Sequence, residues 1–146
     1  MLWKIDMIRK FSIKDLDRVM EIWLSGNVQA HPFIPKEYWA QNFNGVRLIF
    51  PMADVYVYED ENGVQGFIGV DQGYIAGIFV FESEQSKGIG SKLIDKVKSI
   101  YDSLRLNVYE KNRRAISFYL REGFIVKEEL VDENTGMVEF SMIWKK

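Results

Sequence analysis

The pattern of apolar and polar positions changes period several times along this chain. Residues 4–11, KIDMIRKF, alternate well enough to predict a first strand. From Ser12 the period becomes helical, with Leu16, Val19, Met20, Trp23 and Asn27 on one face. Ser12, followed by Asp15 three residues on, predicts the N-cap of that helix. Pro32 and Pro35 interrupt the chain. A second helix is expected within residues 36–50, ending before Pro51, with Gly45 as its weak point.

From residue 53 the pattern is extended. ADVYVYE (53–59) and VQGFIGV (64–70) read as strands joined through Asn62-Gly63, a strong hairpin signal. A tight connection at 71–73 leads to YIAGIFVF (74–81), which is apolar on both faces and predicts a central, buried strand. A helix follows, with Leu93, Val97, Ile100 and Tyr101 on one face. LRLNVY (104–109) is the next strand, and RRAISFYLREG (113–123) is a short helix closed by Gly123. FIVKEELV (124–131) and MVEFSMIW (137–144) are two final strands separated by DENTG. This order predicts a layered α/β fold: a mixed, mostly antiparallel sheet of six to seven strands with helices on both faces, not a doubly wound one.

Composition narrows the function. The chain has 146 residues, the size of one domain, so residues 1–146 are read as a single unit. A net charge of −2 and a pI of about 5.5 argue against a broad basic surface for nucleic acid. They leave room for a local basic pocket for one anionic ligand. There is no cysteine and one histidine, which argues against a Cys- or His-built metal site, and no metal is expected. No signal-like or membrane-spanning apolar run is found, so a cytoplasmic protein without a membrane partner is expected. Monomer and homodimer both remain open.

The candidate chemistry begins at Gln85-Ser86-Lys87-Gly88-Ile89-Gly90, at the mouth of a helix. The first N–H groups of a helix lack internal partners, and the macrodipole adds positive charge there. Glycine lets a large anion approach such an end without meeting a Cβ. Gly88 and Gly90, beside Lys87, therefore suggest a pyrophosphate cradle. A Walker loop finds no match, and the dinucleotide fingerprint fails at Leu93. The pattern [RQ]-x-x-G-x-[GA] after an apolar strand fits completely. A second stretch, NVYEKNRRAISFYLREGF (107–124), matches V-x-x-x-N-x-x-A-I-x-F-Y-x-x-x-G-F through Val108, Asn112, Ala115, Ile116, Phe118, Tyr119, Gly123 and Phe124.

With both motifs at the usual separation, the chain resembles the GNAT superfamily of acetyl-CoA-dependent N-acetyltransferases over essentially its whole length. It is most similar to the small stand-alone bacterial YiaC-like group, which shares HPFI (31–34) and a VYEKN-like segment (108–112). The resemblance implies a pair of central strands that splay apart to admit acetyl-CoA. It places pantetheine beside Ile78, Phe79 and Val80, through the backbone of Ile78 and Val80. The pyrophosphate falls on N–H groups of Ser86, Lys87, Gly88, Ile89, Gly90 and Ser91, and Gln85 is counted with the cofactor-binding residues. Phe118 is assigned to the cofactor site, as is Asn112, for which a helix N-cap is an equal reading.

Tyr119 is the implied partner of the departing thiolate. Many members carry a glutamate base on the strand before the glycine loop, but residues 74–81 hold no acid. Tyr74 and His31 are then the candidates for proton removal, directly or through water. With no cysteine to carry an acetyl group, direct attack of the amine on the thioester is expected. A peptide or protein amine is the expected acceptor, because the segments read as its pocket hold only Glu37 and Asp71 as acids. The alternatives are a small-molecule amine as acceptor, or a non-catalytic acetyl-CoA-binding regulator.

Overall fold

The computed structural model describes residues 7–146, so residues 4–6 of the first expected strand lie outside it. Strand β1 spans Met7–Lys10 and leads through a single 3₁₀ turn to helix α1, Leu16–Ala30. The expected cap forms: the Asp15 carboxylate accepts the Ser12 N–H at 2.8 Å. The same carboxylate takes the Arg9 guanidinium of β1 at 2.8 and 3.0 Å. Such a two-pronged, charge-assisted contact ties the strand to the helix entry. Helix α2, Lys36–Ile49, runs through Gly45 without a break and ends in a 3₁₀ turn that holds Pro51.

Strands β2 (Asp54–Asp60) and β3 (Gly63–Asp71) form the expected hairpin, with Gly63 at φ 106°. β4, Tyr74–Val80, returns along β3. Then follow α3 (Ile89–Lys98), β5 (Ser103–Tyr109), α4 (Arg113–Arg121), β6 (Ile125–Val131) and β7 (Val138–Lys145). The seven strands form one sheet in the order β1-β2-β3-β4-β5-β7-β6. Only β4 and β5 run parallel, and a single register pair joins them, Tyr74 opposite Arg105. β5 instead pairs with β7 along its whole length, from Ser103 opposite Lys145 to Tyr109 opposite Glu139. The sheet is thus two blocks that part after one residue, as the resemblance implies.

Helices cover both faces, and β2 shows how. Its alternate residues Val55 and Val57 pack with Val19, Met20 and Ile22 of α1. Tyr56 and Tyr58 face the other way, toward Leu93, Ile94 and Val97 of α3. The α3 core also gathers residues from both blocks, among them Ile68, Ile75, Leu104, Leu106 and Met142, with Tyr119 and Phe124. It holds the two blocks together beneath the point where they separate.

Two expectations need correction. β4 is central in the sheet, yet only Ile75 of its residues is buried. Its apolar character serves a strand whose free edge opens on a cleft. The apolar stripe of α3 also ends sooner than its spacing suggests. The helix closes at Lys98, its buried positions are Ile89, Leu93, Ile94 and Val97, and Ile100 is 47% exposed.

Candidate active site

A cleft of about 1160 Å³ opens where β4 leaves β5. Its wall is the free edge of β4. The Phe81 N–H bonds the Gln65 carbonyl at 2.7 Å, opposite it on β3. Antiparallel alternation then turns Phe79 toward β3 and leaves the backbone groups of Ile78 and the Val80 N–H facing the cleft, while the Val80 carbonyl is taken by Gln85. α1 comes down on this wall at Gly26, where a Cβ would stand 2.5 Å from the Phe79 ring.

The phosphate end is built from backbone. Ser86 and Gly88 both take positive φ, 66° and 82°, just before α3. No side chain caps α3, so the N–H groups of its first turn carry no such partner. Among the described residues a Cβ on Gly88 would meet nothing within 4 Å, whereas one on Gly90 would meet Phe118 at 3.1 Å. Gly88 therefore leaves a backbone surface open, and Gly90 lets α3 and α4 approach. The ten-residue helix, its missing cap and the left-handed turn before it suit an anion of pyrophosphate size.

The side chains of this loop are mostly engaged in holding it. Gln85 donates to the Val80 carbonyl at 3.0 Å, closing the turn from β4 to α3. The Ser91 hydroxyl donates to Glu122 at 2.8 Å, linking α3 to the end of α4. Lys87 does not line the cleft; its ammonium pairs with Glu84 at 3.3 Å. The basic groups that do line the cleft are Lys111, Arg113, Arg114 and Arg121, and Arg114 donates to the Ser86 hydroxyl at 3.3 Å. The sequence held that signal in the basic run beside Asn112, but its relation to the glycine loop depends on the fold.

Asn112 resolves into a double role. Its Oδ1 accepts the Ala115 N–H at 3.2 Å, which caps α4. Its amide nitrogen therefore faces His31 Nε2, at 3.4 Å. That geometry makes Nε2 the acceptor and puts the imidazole proton on Nδ1. Nδ1 is buried without a hydrogen-bonding partner among the described residues; the nearby Asn27 carbonyl already takes the His31 backbone N–H at 3.0 Å. The ring stacks on Trp39 with centroids 5.1 Å apart and meets Tyr109 edge-on at 5.2 Å. Burial lowers its pKa to about 4. His31 lines the cleft as a neutral ring whose lone pair is engaged, a poor arrangement for taking a proton.

Tyr119 sits on α4, 9% exposed, between Phe118 and Phe124. Its hydroxyl has no hydrogen-bond partner among the described residues, and the residue lines the cleft. Burial, then the nearness of Tyr74, pushes its pKa well above the ordinary tyrosine value. Tyr74 lies at the point where the strands part, its ring 5.7 Å from the Arg105 guanidinium. Burial first, then Glu139, raises its pKa too.

The acids of the other end of the cleft are not those the sequence suggested. Glu37 and Asp71 do not line it; Asp132 and Glu139, from the β6–β7 hairpin, do. The Tyr109 hydroxyl donates to Asp132 at 2.5 Å. Glu139 reaches the cleft because β7 sets it opposite Tyr109. Tyr38 and Trp39 of α2 add aromatic surface. Among the described residues no group of His, Cys, Asp and Glu is placed to hold a metal, and no helix is long and apolar enough to cross a membrane.

Comparison with known proteins decides the family. The model of the acetyltransferase (GNAT) domain matches residues 51–126. The chain is 31% identical over 140 residues, 94% of its length and 96% of the other's, to the peptidyl-lysine N-acetyltransferase YiaC of Escherichia coli K12. The chain belongs to the GNAT acetyltransferase family. The fold agrees: the solution structure of apo YjaB from Escherichia coli superposes with a TM-score of 0.84 at 24% identity, over 96% of this chain and 97% of that one. A Bacillus anthracis acetyltransferase solved with acetyl coenzyme A shares the fold over 64% of this chain and 62% of its own, with a TM-score of 0.59 at 21% identity. The protein is thus an enzyme that transfers an acetyl group to an amine.

The cradle is open to test. Gly88→Val puts a β-branched residue at φ 82° and a side chain over the exposed N–H groups. Acetyl-CoA affinity by calorimetry should fall by at least about tenfold in a variant that keeps its fold. Unchanged affinity would remove the cradle.

Proposed function

We propose that the enzyme acetylates the ε-amine of lysine in peptides or proteins, taking the acetyl group from acetyl-CoA by direct attack. One observation carries the acceptor. Among the described residues, the end of the cleft away from the glycine loop has aromatic walls and a single carboxylate with an uncommitted oxygen, that of Glu139. Asp132, beside it, accepts the Tyr109 hydroxyl through one oxygen and the Asn134 N–H through the other. A lysine side chain offers one charge on an apolar stem, which matches such a lining. A polyamine brings several charges, each needing its own partner when it leaves water. The names of the relatives YiaC and YjaB, both peptidyl-lysine N-acetyltransferases, point the same way.

In this reading acetyl-CoA supplies the thioester. The first turn of α3 holds its pyrophosphate, and the free edge of β4 at Ile78 and Val80 directs the chain toward Tyr119. The Tyr119 hydroxyl faces the departing sulfur. At ordinary pKa values, moving a proton from tyrosine to a thiolate is uphill by roughly 2 kcal/mol. Burial makes the Tyr119 hydroxyl harder still to ionise. A hydrogen bond that strengthens as charge grows on sulfur is therefore its main contribution. The chain has no cysteine to form an acetyl-thioester enzyme, which favours transfer in one step.

Two measurements test this. Tyr119→Phe should lower kcat by at least about tenfold while acetyl-CoA affinity stays within about twofold, as for a group acting mainly in the transition state. An unchanged kcat would leave Tyr119 as packing alone. In steady-state assays, lysine peptides should be the preferred acceptors. A polyamine or aminoglycoside turned over about a hundredfold more efficiently than every peptide tried, a gap of roughly 2.7 kcal/mol, would replace the acceptor and keep the acetyl transfer.

A further inference from the structure

The strand that lines the cleft supplies no proton acceptor, since β4 holds no acid, and His31 has its lone pair turned to Asn112. An amine that enters as an ammonium must still lose a proton before it can attack. The two acids of the β6–β7 hairpin differ in how free they are for that task. Both Asp132 oxygens are occupied, Oδ2 by the Tyr109 hydroxyl at 2.5 Å and Oδ1 by the Asn134 N–H at 2.9 Å. Glu139 makes one long contact, from Asn107 Nδ2 to Oε1 at 3.4 Å, and its other oxygen has no partner among the described residues.

A second, independent feature marks the same cleft. The Tyr119 hydroxyl belongs to a residue 9% exposed and also has no partner among the described residues. Tyr74 lines the same cleft, near enough to Tyr119, and Glu139 near enough to Tyr74, for each to act on the ionisation of the next. Among the described residues, one free acid and one free hydroxyl thus line the same cleft as Tyr74.

We propose that Glu139 receives the acceptor's ammonium in its free oxygen and takes its proton. The proposal rests on the reading that the acceptor is a protonated primary amine. The step balances. One N–H bond of the ammonium breaks, and its proton passes to the Glu139 carboxylate. The nitrogen pair so freed forms the C–N bond to the acetyl carbon, while the C–S bond breaks with its pair on sulfur. The second proton of the new amide nitrogen passes to that sulfur, whose growing charge the Tyr119 hydroxyl stabilises by its hydrogen bond. Glu139 then releases its proton to water, one proton per turnover. Burial, then the adjacent Asp132, raises the pKa of Glu139, which makes it a better proton acceptor than an exposed carboxylate.

The charged and titratable groups around Glu139 are Tyr38 on α2, Tyr74 on β4, Tyr109 on β5, and Asp132 in the hairpin. The ordinary pKa of a lysine amine is about 10.4. With a carboxylate base, kcat/KM for a lysine peptide is flat between the pKa of Glu139 and that of the amine. Without it, only the free amine reacts, and kcat/KM climbs about tenfold per pH unit toward the amine's pKa. E139Q keeps the shape and the Asn107 contact but removes the base. At pH 7 it should lose about a hundredfold in kcat/KM, in the range of general-base catalysis. Its acetyl-CoA affinity should match wild type, and the deficit should shrink about tenfold per pH unit from 7 to 9. A kcat/KM within about threefold of wild type at pH 7, or a deficit that is constant with pH, would overturn the proposal. Should E139Q fail to bind acetyl-CoA, E139D serves instead. It should show lowered kcat/KM with the flat wild-type profile, and a climbing profile would count against Glu139. A wild-type enzyme that acetylates no lysine peptide would strike the acceptor alone, and the same comparison is then made on the amine it does turn over.

Discussion

Strands β4 and β5 share one paired residue, Tyr74 opposite Arg105, and the cleft exists because they part there. Each is held elsewhere: β4 along β3, and β5 along the full length of β7. Leaving the sheet open exposes backbone N–H and C=O groups on the free edge of β4, which need partners from water or a ligand. The α3-side core makes the opening tolerable, because Ile75, Leu104, Leu106 and Met142 pack together below it. An open edge above a continuous core is stable without a ligand and receptive to one.

The two helices that begin at this opening divide the work. α3 begins with a left-handed turn and no side-chain cap, so its first N–H groups are offered outward. α4 begins with Asn112, whose Oδ1 satisfies Ala115 and whose amide engages His31. One N-terminus has no side-chain cap, and the other is fastened by Asn112, two turns before Tyr119. Gly90 lets the two helices approach, since a Cβ there would press on Phe118.

Much of this was legible in the sequence, for identifiable reasons. The hairpin at Asn62-Gly63, the cap at Ser12 and the glycine loop are local signals, written in adjacent residues. The two motifs that carry the family resemblance flank β5, and Gln85, Gly88, Asn112 and Tyr119 all come to the cleft. What was not legible depends on register and side-chain choice. Glu139 reaches the cleft only because β7 sets it opposite Tyr109, a pairing that no periodicity reveals. Lys87 turned to its ion pair with Glu84 while Arg113 and Arg114 came in from α4. His31 looked like a titratable base, but burial against Trp39 and its contact with Asn112 decide its state. The apolar run of β4 is read equally well as a buried strand or as one bordering a slot, and only its missing partner separates the two.

The central claim is that the parting of β4 and β5 is the acetyl-transfer slot. A crystal structure with a hydrolysis-resistant acetyl-CoA analogue tests it most directly. The pyrophosphate should lie on the N–H groups of residues 86–91, the acetyl group between β4 and β5, and the sulfur beside the Tyr119 hydroxyl. An analogue bound elsewhere, with the first turn of α3 bare and no acetyl group between the strands, would contradict it.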